Sequence, residues 1–220
     1  MFALNFSRQT LRAGSLVLLA APWALVPLPG LATARPDIGI VEQLQGEVAL
    51  ERDGVAETLT VGRTIARHDR LTTAVGARVA VTFRDGSRLV LGERGAVTIE
   101  DWRPEQGRAS GVLLLDLESG AARLTAARPL KAPDKRIELR TPVAVITVRG
   151  TDVWSGPVDS GTGIIVLAGA IEVRNDAGSV MVDRRHAGTI VRSRASPPEF
   201  ARGFSPDQMR KALTMVDFPK

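Results

Sequence analysis

The sequence predicts an all-β protein, and three observations carry that prediction. Apolar and polar residues alternate with a period of two through much of residues 40–191, the pattern of half-buried strands. Glycine, Asn or Asp punctuates most of the gaps between these runs, and those residues supply the backbone angles that turns need. No segment between the runs has the 3.6-residue period of a crossover helix, which argues against a parallel sheet of βαβ units.

The first 34 residues stand apart. Arg8 and Arg12 precede a nearly unbroken apolar run from Gly14 to Leu28, and Pro27, Pro29 and Gly30 break any helix at its far end. Ala32-Thr33-Ala34 then places small residues before a cleavage point after Ala34. This is the layout of a secretory signal peptide over residues 1–34, and it predicts a periplasmic location. The competing reading is an uncleaved anchor in the inner membrane. Against it, the apolar run is shorter than the ~20 residues that span a bilayer. The chain has no cysteine, so neither a lipid-modified cysteine nor a disulfide framework is available.

Residues 35–194 are expected to form one β domain. Candidate strands fall at 40–44, 47–51, 77–83, 88–91, 96–101, 111–116 and 121–125. They continue at 137–139, 143–148, 164–167, 170–174, 179–182 and 189–191. In the third of these Ala77, Val79, Val81 and Phe83 share one face, and Arg78, Ala80, Thr82 and Arg84 the other. Asp85-Gly86-Ser87 follows as a tight turn. An internal echo links two segments: Leu44-Gln45-Gly46-Glu47-Val48-Ala49-Leu50 is similar to Leu167-Ala168-Gly169-Ala170-Ile171-Glu172-Val173. Repeated units of this kind suit an elongated, solenoid-like stack, with a sandwich or barrel as the alternative.

Residues 195–220 change character. Ser196-Pro197-Pro198 ends the strands and opens a linker. Ser205-Pro206-Asp207-Gln208 reads as a capping box with Ser205 at the N-cap, Pro206 at N1 and Gln208 at N3. Met209, Ala212, Leu213 and Val216 then make one apolar stripe. So short a helix is marginal alone, so the stripe is expected to dock on the β body.

Composition excludes several functions. Two of the 29 basic residues and none of the 24 acidic ones precede residue 35, so 27 against 24 leaves a mild positive excess. The basic residues are scattered, aromatics are few and tyrosine is absent, so a nucleic-acid face with stacking platforms is not expected. Two histidines and no cysteines supply zinc or copper poorly, and no cofactor is expected. His68-Asp69 suggests a catalytic pair, but neighbours in a strand point to opposite faces. Asp159-Ser160-Gly161-Thr162-Gly163 precedes a strand instead of the helix N-terminus a phosphate cradle needs. No nucleophile stands beside a base, and no enzyme activity is expected.

Arg149-Gly150-Thr151, within TPVAVITVRGTDVW, is the most unusual local feature. An arginine ending a strand can donate several hydrogen bonds, and Gly150 permits a bulge. The same arginine can equally serve to tie turns together. Arg149, Gly150, Thr151, Asp152 and Trp154 are the candidate interaction residues, with the loop 156–163 beside them.

Three blocks together resemble the FecR domain family, named for the regulator of ferric citrate uptake. The first is HDRLTTAVGARVAVTFRDGSRLVLG, where Asp69, Leu71, Thr73, Phe83, Asp85, Gly86 and Ser87 carry the match. The second is VLLLDLESGAARL. The third is TPVAVITVRGTDVWSG followed by GIIVLAGAIEV, with Thr141, Pro142, Arg149, Gly150 and Thr151 as its markers. The resemblance spans roughly residues 40–173 and implies an extracytoplasmic β-rich domain used in signalling or protein contact, without catalysis. FecR-type transmembrane regulators carry a cytoplasmic anti-sigma segment before their membrane helix. Only 13 residues precede Gly14 here, so that segment and direct sigma-factor control are not expected. The partner implied is an envelope protein of unspecified identity; the alternative is an envelope glycan, peptidoglycan or another anionic polysaccharide.

Overall fold

The computed structural model describes residues 35–104, 111–127 and 136–218, with the backbone alone at Arg149 and Thr151. The expected signal peptide, residues 1–34, lies outside the described residues. No helix among the described residues is long and apolar enough to cross a membrane.

The domain is built from strands, as the alternation predicts. It opens with β1 (Asp37–Gln45), β2 (Val48–Arg52), β3 (Val55–Thr58), β4 (Thr64–Ala66) and β5 (Arg70–Thr73). Next come β6 (Arg78–Phe83), β7 (Arg88–Leu91), β8 (Ala96–Arg103), β9 (Val112–Ser119), β10 (Ala122–Thr125) and β11 (Arg136–Arg140). Two long strands follow, β12 (Val145–Val158) and β13 (Gly161–Asn175), then β14 (Gly178–Val182), β15 (Ala187–Val191) and β16 (Arg202–Gly203). A single helix, α1 (Pro206–Thr214), ends the described chain.

The strands lie in two layers. One runs β3-β2-β5-β8-β9-β11, the other β4-β1-β6-β7-β10. β12 and β13 belong to both. β12 pairs with β11 through residues 145–148 and with β10 through residues 152–155. β13 pairs with β14 through residues 171–175 and with β15 through residues 162–165. At several connections, including β1–β2, β5–β6 and β9–β10, the chain crosses from one layer to the other through a tight arch. Gly46, Gly76 and Gly120 take positive φ of 72, 71 and 79° at three of them, a conformation that only glycine adopts cheaply.

The arches stack on one another. Ala74 N–H donates to the Glu47 carbonyl at 3.0 Å, Arg94 N–H to Ala74 at 3.2 Å, and Gly92 N–H to Ala121 at 2.8 Å. The approach is close enough that a Cβ on Gly120 would lie 2.5 Å from the Gly95 Cα. The two segments of the internal echo both lie at such crossings. Gly46 carries the chain between layers, and so does Gly169 (φ 82°) inside β13. Apart from the parallel β9–β11 pair, the pairings between described strands are antiparallel.

The inward faces of both layers form one core. Val79, Val81 and Phe83 of β6 meet Leu113 and Leu115 of β9, Ile146 and Val148 of β12, and Ile171 and Val173 of β13 in a single buried cluster. The outer face of β6 departs from expectation, because Ala80 is also fully buried. It lies under α1 with Val90, Trp154, Ile165 and Leu167, against Met209, Ala212 and Val216 of the helix segment. The expected stripe therefore docks on the β body. Ser205 accepts from Gln208 N–H while the Gln208 side chain accepts from Ser205 N–H, the expected capping box. At the other end Arg78 donates to the Thr214 carbonyl at 3.1 Å, the cation that a helix C-terminus favours.

Candidate interaction site

Gly150 (φ 67°) makes the bend in β12 that moves it between layers. Arg149 pairs with Ala170 and Asp152 with Ala168, so Gly150 and Thr151 face the single residue Gly169. This is a β-bulge opening on a left-handed glycine, which turns a strand sharply. β10 registers Ala122 beside Ser155 and Thr125 beside Asp152. The bend therefore lies at the opposite end of β10 from the Gly120 arch, on the other side of the domain. The side chains of Arg149 and Thr151 lie outside the described residues.

Asp152, just past the bulge, accepts from Arg123 Nε at 2.9 Å and Nη2 at 2.6 Å, and from Thr125 Oγ1 at 3.2 Å. The Asp152 hydrogen bond raises the Arg123 pKa above its ordinary value, against a smaller opposing effect of burial. The pair borders a groove beside α1, with Arg185 and His186 on its rim and Leu167, Ala168, Met209 and Leu213 beneath. Arg184, Arg185 and His186 are all exposed in the turn between β14 and β15. The groove thus combines an apolar floor with the Arg123–Asp152 ion pair and the exposed Arg185 and His186 side chains. Nothing in the sequence joins His186 to Asp152. The two lie 34 positions apart, and only the β12–β13 bend brings them together.

Trp154 has a different place. It is fully buried, with its ring over the Gly156–Gly163 pair of the β12–β13 hairpin. A Cβ on Gly156 would come within 2.7 Å of the Trp154 ring, so glycine makes the slot. As folded, Trp154 is a core residue under α1 that offers no exposed ring, so it is not a contact residue as the sequence suggested. The expected loop 156–163 is also shorter, because residues 156–158 pair with 161–163 and leave Asp159-Ser160 as the tip.

The remaining motif residues hold turns and core. Asp69 is fully buried and takes Arg52 Nε at 2.8 Å and Nη2 at 2.7 Å, plus Ala66 N–H at 2.7 Å. His68 bends the backbone at φ 66°. Thr73 donates to the Gly92 carbonyl at 2.5 Å and accepts from Gly95 N–H at 2.8 Å, tying two arches together. Phe83 is a core residue. Asp85 accepts from Ser87 N–H and Oγ, both at 2.9 Å, with Gly86 at φ 83°. Thr141 accepts from Ala144 N–H at 3.0 Å and donates to its carbonyl, and the exposed Pro142 continues that turn. No group of three or more His, Cys, Asp and Glu side chains among the described residues is arranged to hold a metal ion.

Comparison with known proteins gives a consistent picture. Residues 69–172 match the family model described as FecR protein. No curated protein matches the chain. Two crystal structures of a candidate anti-sigma factor from Parabacteroides distasonis share the fold. One superposes with a TM-score of 0.51 at 17% identity over 66% of this chain and 64% of that one. The other gives 0.52 at 18% identity over 66% of this chain and 63% of that one. This chain thus spans under two thirds of those relatives' length.

Proposed function

We propose that this chain, whose residues 69–172 form a FecR domain, is an exported, non-catalytic regulatory module of the bacterial envelope that acts by protein contact. The observation that carries this reading is the groove at the β12–β13 bend. There Arg123–Asp152, Arg185 and His186 border an apolar strip along α1. The RGT motif supplies the bulge that builds the groove, so the feature that marks the family also shapes the surface. The relatives described as anti-sigma factors support regulation as the class of role. Export rests on the leader-like residues 1–34, and a mature chain starting at Arg35 is the expected mass-spectrometric result.

The test is site-specific photocrosslinking in the native envelope. A crosslinker at position 185 should capture one partner, and one at the exposed position 57 on β3 should not. Arg149→Ala and Arg185→Glu should each cut capture at least tenfold while the melting temperature stays nearly constant. Equal capture from both faces, or capture indifferent to both substitutions, rejects the groove as the contact surface. A large stability loss in Arg149→Ala would make that arginine structural.

A further inference from the structure

Four described strands end a layer, each pairing with one neighbour alone: β3 and β4 at one end of the stack, β14 and β16 at the other. A free strand margin invites pairing with another chain, and proteins ordinarily blunt it with brevity, charge or proline. Three of the four are blunted in this way. β4 has three residues and β16 two. The segment leading into β16 also carries Pro197 and Pro198 where it reaches β15, with Glu199 N–H donating to the Ile190 carbonyl at 3.1 Å. β3 carries Glu57, held by Arg63. β14 has none of these devices. Its five residues include no charge and no proline, and their register with β13 is unbroken.

The backbone fixes which groups that margin offers. Asn175 and Gly178 close a two-residue turn, so Gly178, Val180 and Val182 direct their N–H and C=O groups to β13. Ser179 and Met181 direct theirs away, and the backbone of β14 makes no bond outside the β13–β14 ladder among the described residues. Both side chains are exposed, Met181 at 47%, while Val182 is buried and Val180 packs on the core. The flanks of the strand identify what fits it. Asp176 lies exposed in the turn before β14, and Arg184 lies exposed in the turn after it. A second copy of the strand, running antiparallel about Val180, sets Ser179 opposite Met181 of the copy and so matches the outward groups. The same register sets Asp176 opposite Arg184 of the copy at both ends, and Asp183 opposite the uncharged Ala177. Any two-fold pairing of this strand carries that charge match automatically. It also brings the two Met181 side chains into diagonal contact on one face. We propose that β14 is the interface of a two-fold dimer, in which the strand layers of two copies of this chain join into one continuous sheet. The strand is short, so the association is weak and concentration-dependent.

Sedimentation equilibrium of the purified chain, from micromolar to millimolar, should show monomer passing to dimer and nothing larger, since a two-fold contact closes on itself. The Ser179 and Met181 amides should gain protection from hydrogen exchange over the same range. Met181→Pro removes an outward N–H and no ladder bond, so it should weaken dimerisation at least tenfold with the melting temperature nearly unchanged. Asp176→Arg and Arg184→Asp, both at exposed turn positions, should each weaken it as much. Mixed together, those two variants should form a heterodimer, because each supplies the charges the other lacks. The chain carrying both reversals should dimerise as the native one does. A chain that stays monomeric at millimolar concentration overturns the proposal and leaves the margin to another protein. Species larger than a dimer overturn it in favour of head-to-tail pairing between β14 and β3. A dimer that survives Met181→Pro, or single variants that fail to complement each other, overturns it as well. No envelope partner takes part in these measurements, and neither Arg149 nor Arg185 is altered, so their outcome is distinct from that of the protein-contact reading.

Discussion

Asp69 and Arg52 lie 17 positions apart in the chain, yet Asp69 spends both carboxylate oxygens on the Arg52 guanidinium and one also on Ala66 N–H. The bidentate bond raises the Arg52 pKa, against the opposing effect of burial. Asp69→Asn would keep the shape but leave the cation without its counter-charge. Breaking such a pair costs about 3 kcal/mol, which should lower the melting temperature by roughly 6–12 °C. Glu138 is the other buried carboxylate of note, with a side chain only 7% exposed. Burial pushes its pKa up, but the hydrogen bonds and charges of Arg136 and Arg140 together outweigh this and hold it below the usual carboxylate range. Glu118 and Glu42 are lowered mainly by hydrogen bonds from Arg70 and Arg88, but both are more exposed and so more screened. A carboxyl depressed by folding contributes stability that is complete above its unfolded pKa of about 4.3 and is lost as pH falls through the folded value. Denaturant titrations should therefore find stability flat from neutral pH to about 5 and falling below that. Glu138→Gln should lower the neutral plateau and flatten the acid limb. The motif positions were visible in the sequence as a resemblance, but their duties were not, because each partner lies on a different strand.

The elements were legible where burial alternates and obscure where it does not. β6, β7 and the α1 capping box follow directly from periodicity and cap chemistry. β3 has all four residues exposed and β4 spans only three, so neither leaves a pattern; β5 and the two-residue β16 were missed as well. β12 and β13 were read as three short strands, 143–148, 164–167 and 170–174, with nothing assigned after Gly150 in β12, because Gly150 and Gly169 look like interruptions. They are bends inside continuous strands. Gly150→Val would force a β-branched residue into a left-handed backbone, at about 1–2 kcal/mol from φ alone. Chemical denaturation should register that loss, and the same substitution should weaken partner capture, because the bulge aims Asp152 at the groove.

Across the whole molecule, the two layers share one core and one hairpin. Unfolding followed by Trp fluorescence and by far-UV circular dichroism should therefore give coincident, single transitions. Separate transitions would mean that the layers are independently stable. The solenoid-like reading of the sequence and its sandwich alternative each describe part of the result. The arches stack like coils, while the antiparallel layers close over a common interior like a sandwich. An echo of two seven-residue segments cannot distinguish these, since both architectures need a glycine wherever the chain changes layer.

The hairpin's double membership also sets an order of events during biogenesis. Until β12 and β13 have emerged, β10 and β11 each present a bare strand margin, open to pairing with any passing chain. A nascent polypeptide cut short before residue 145 is thus an aggregation hazard, and a holdase should bind it far more avidly than the finished domain.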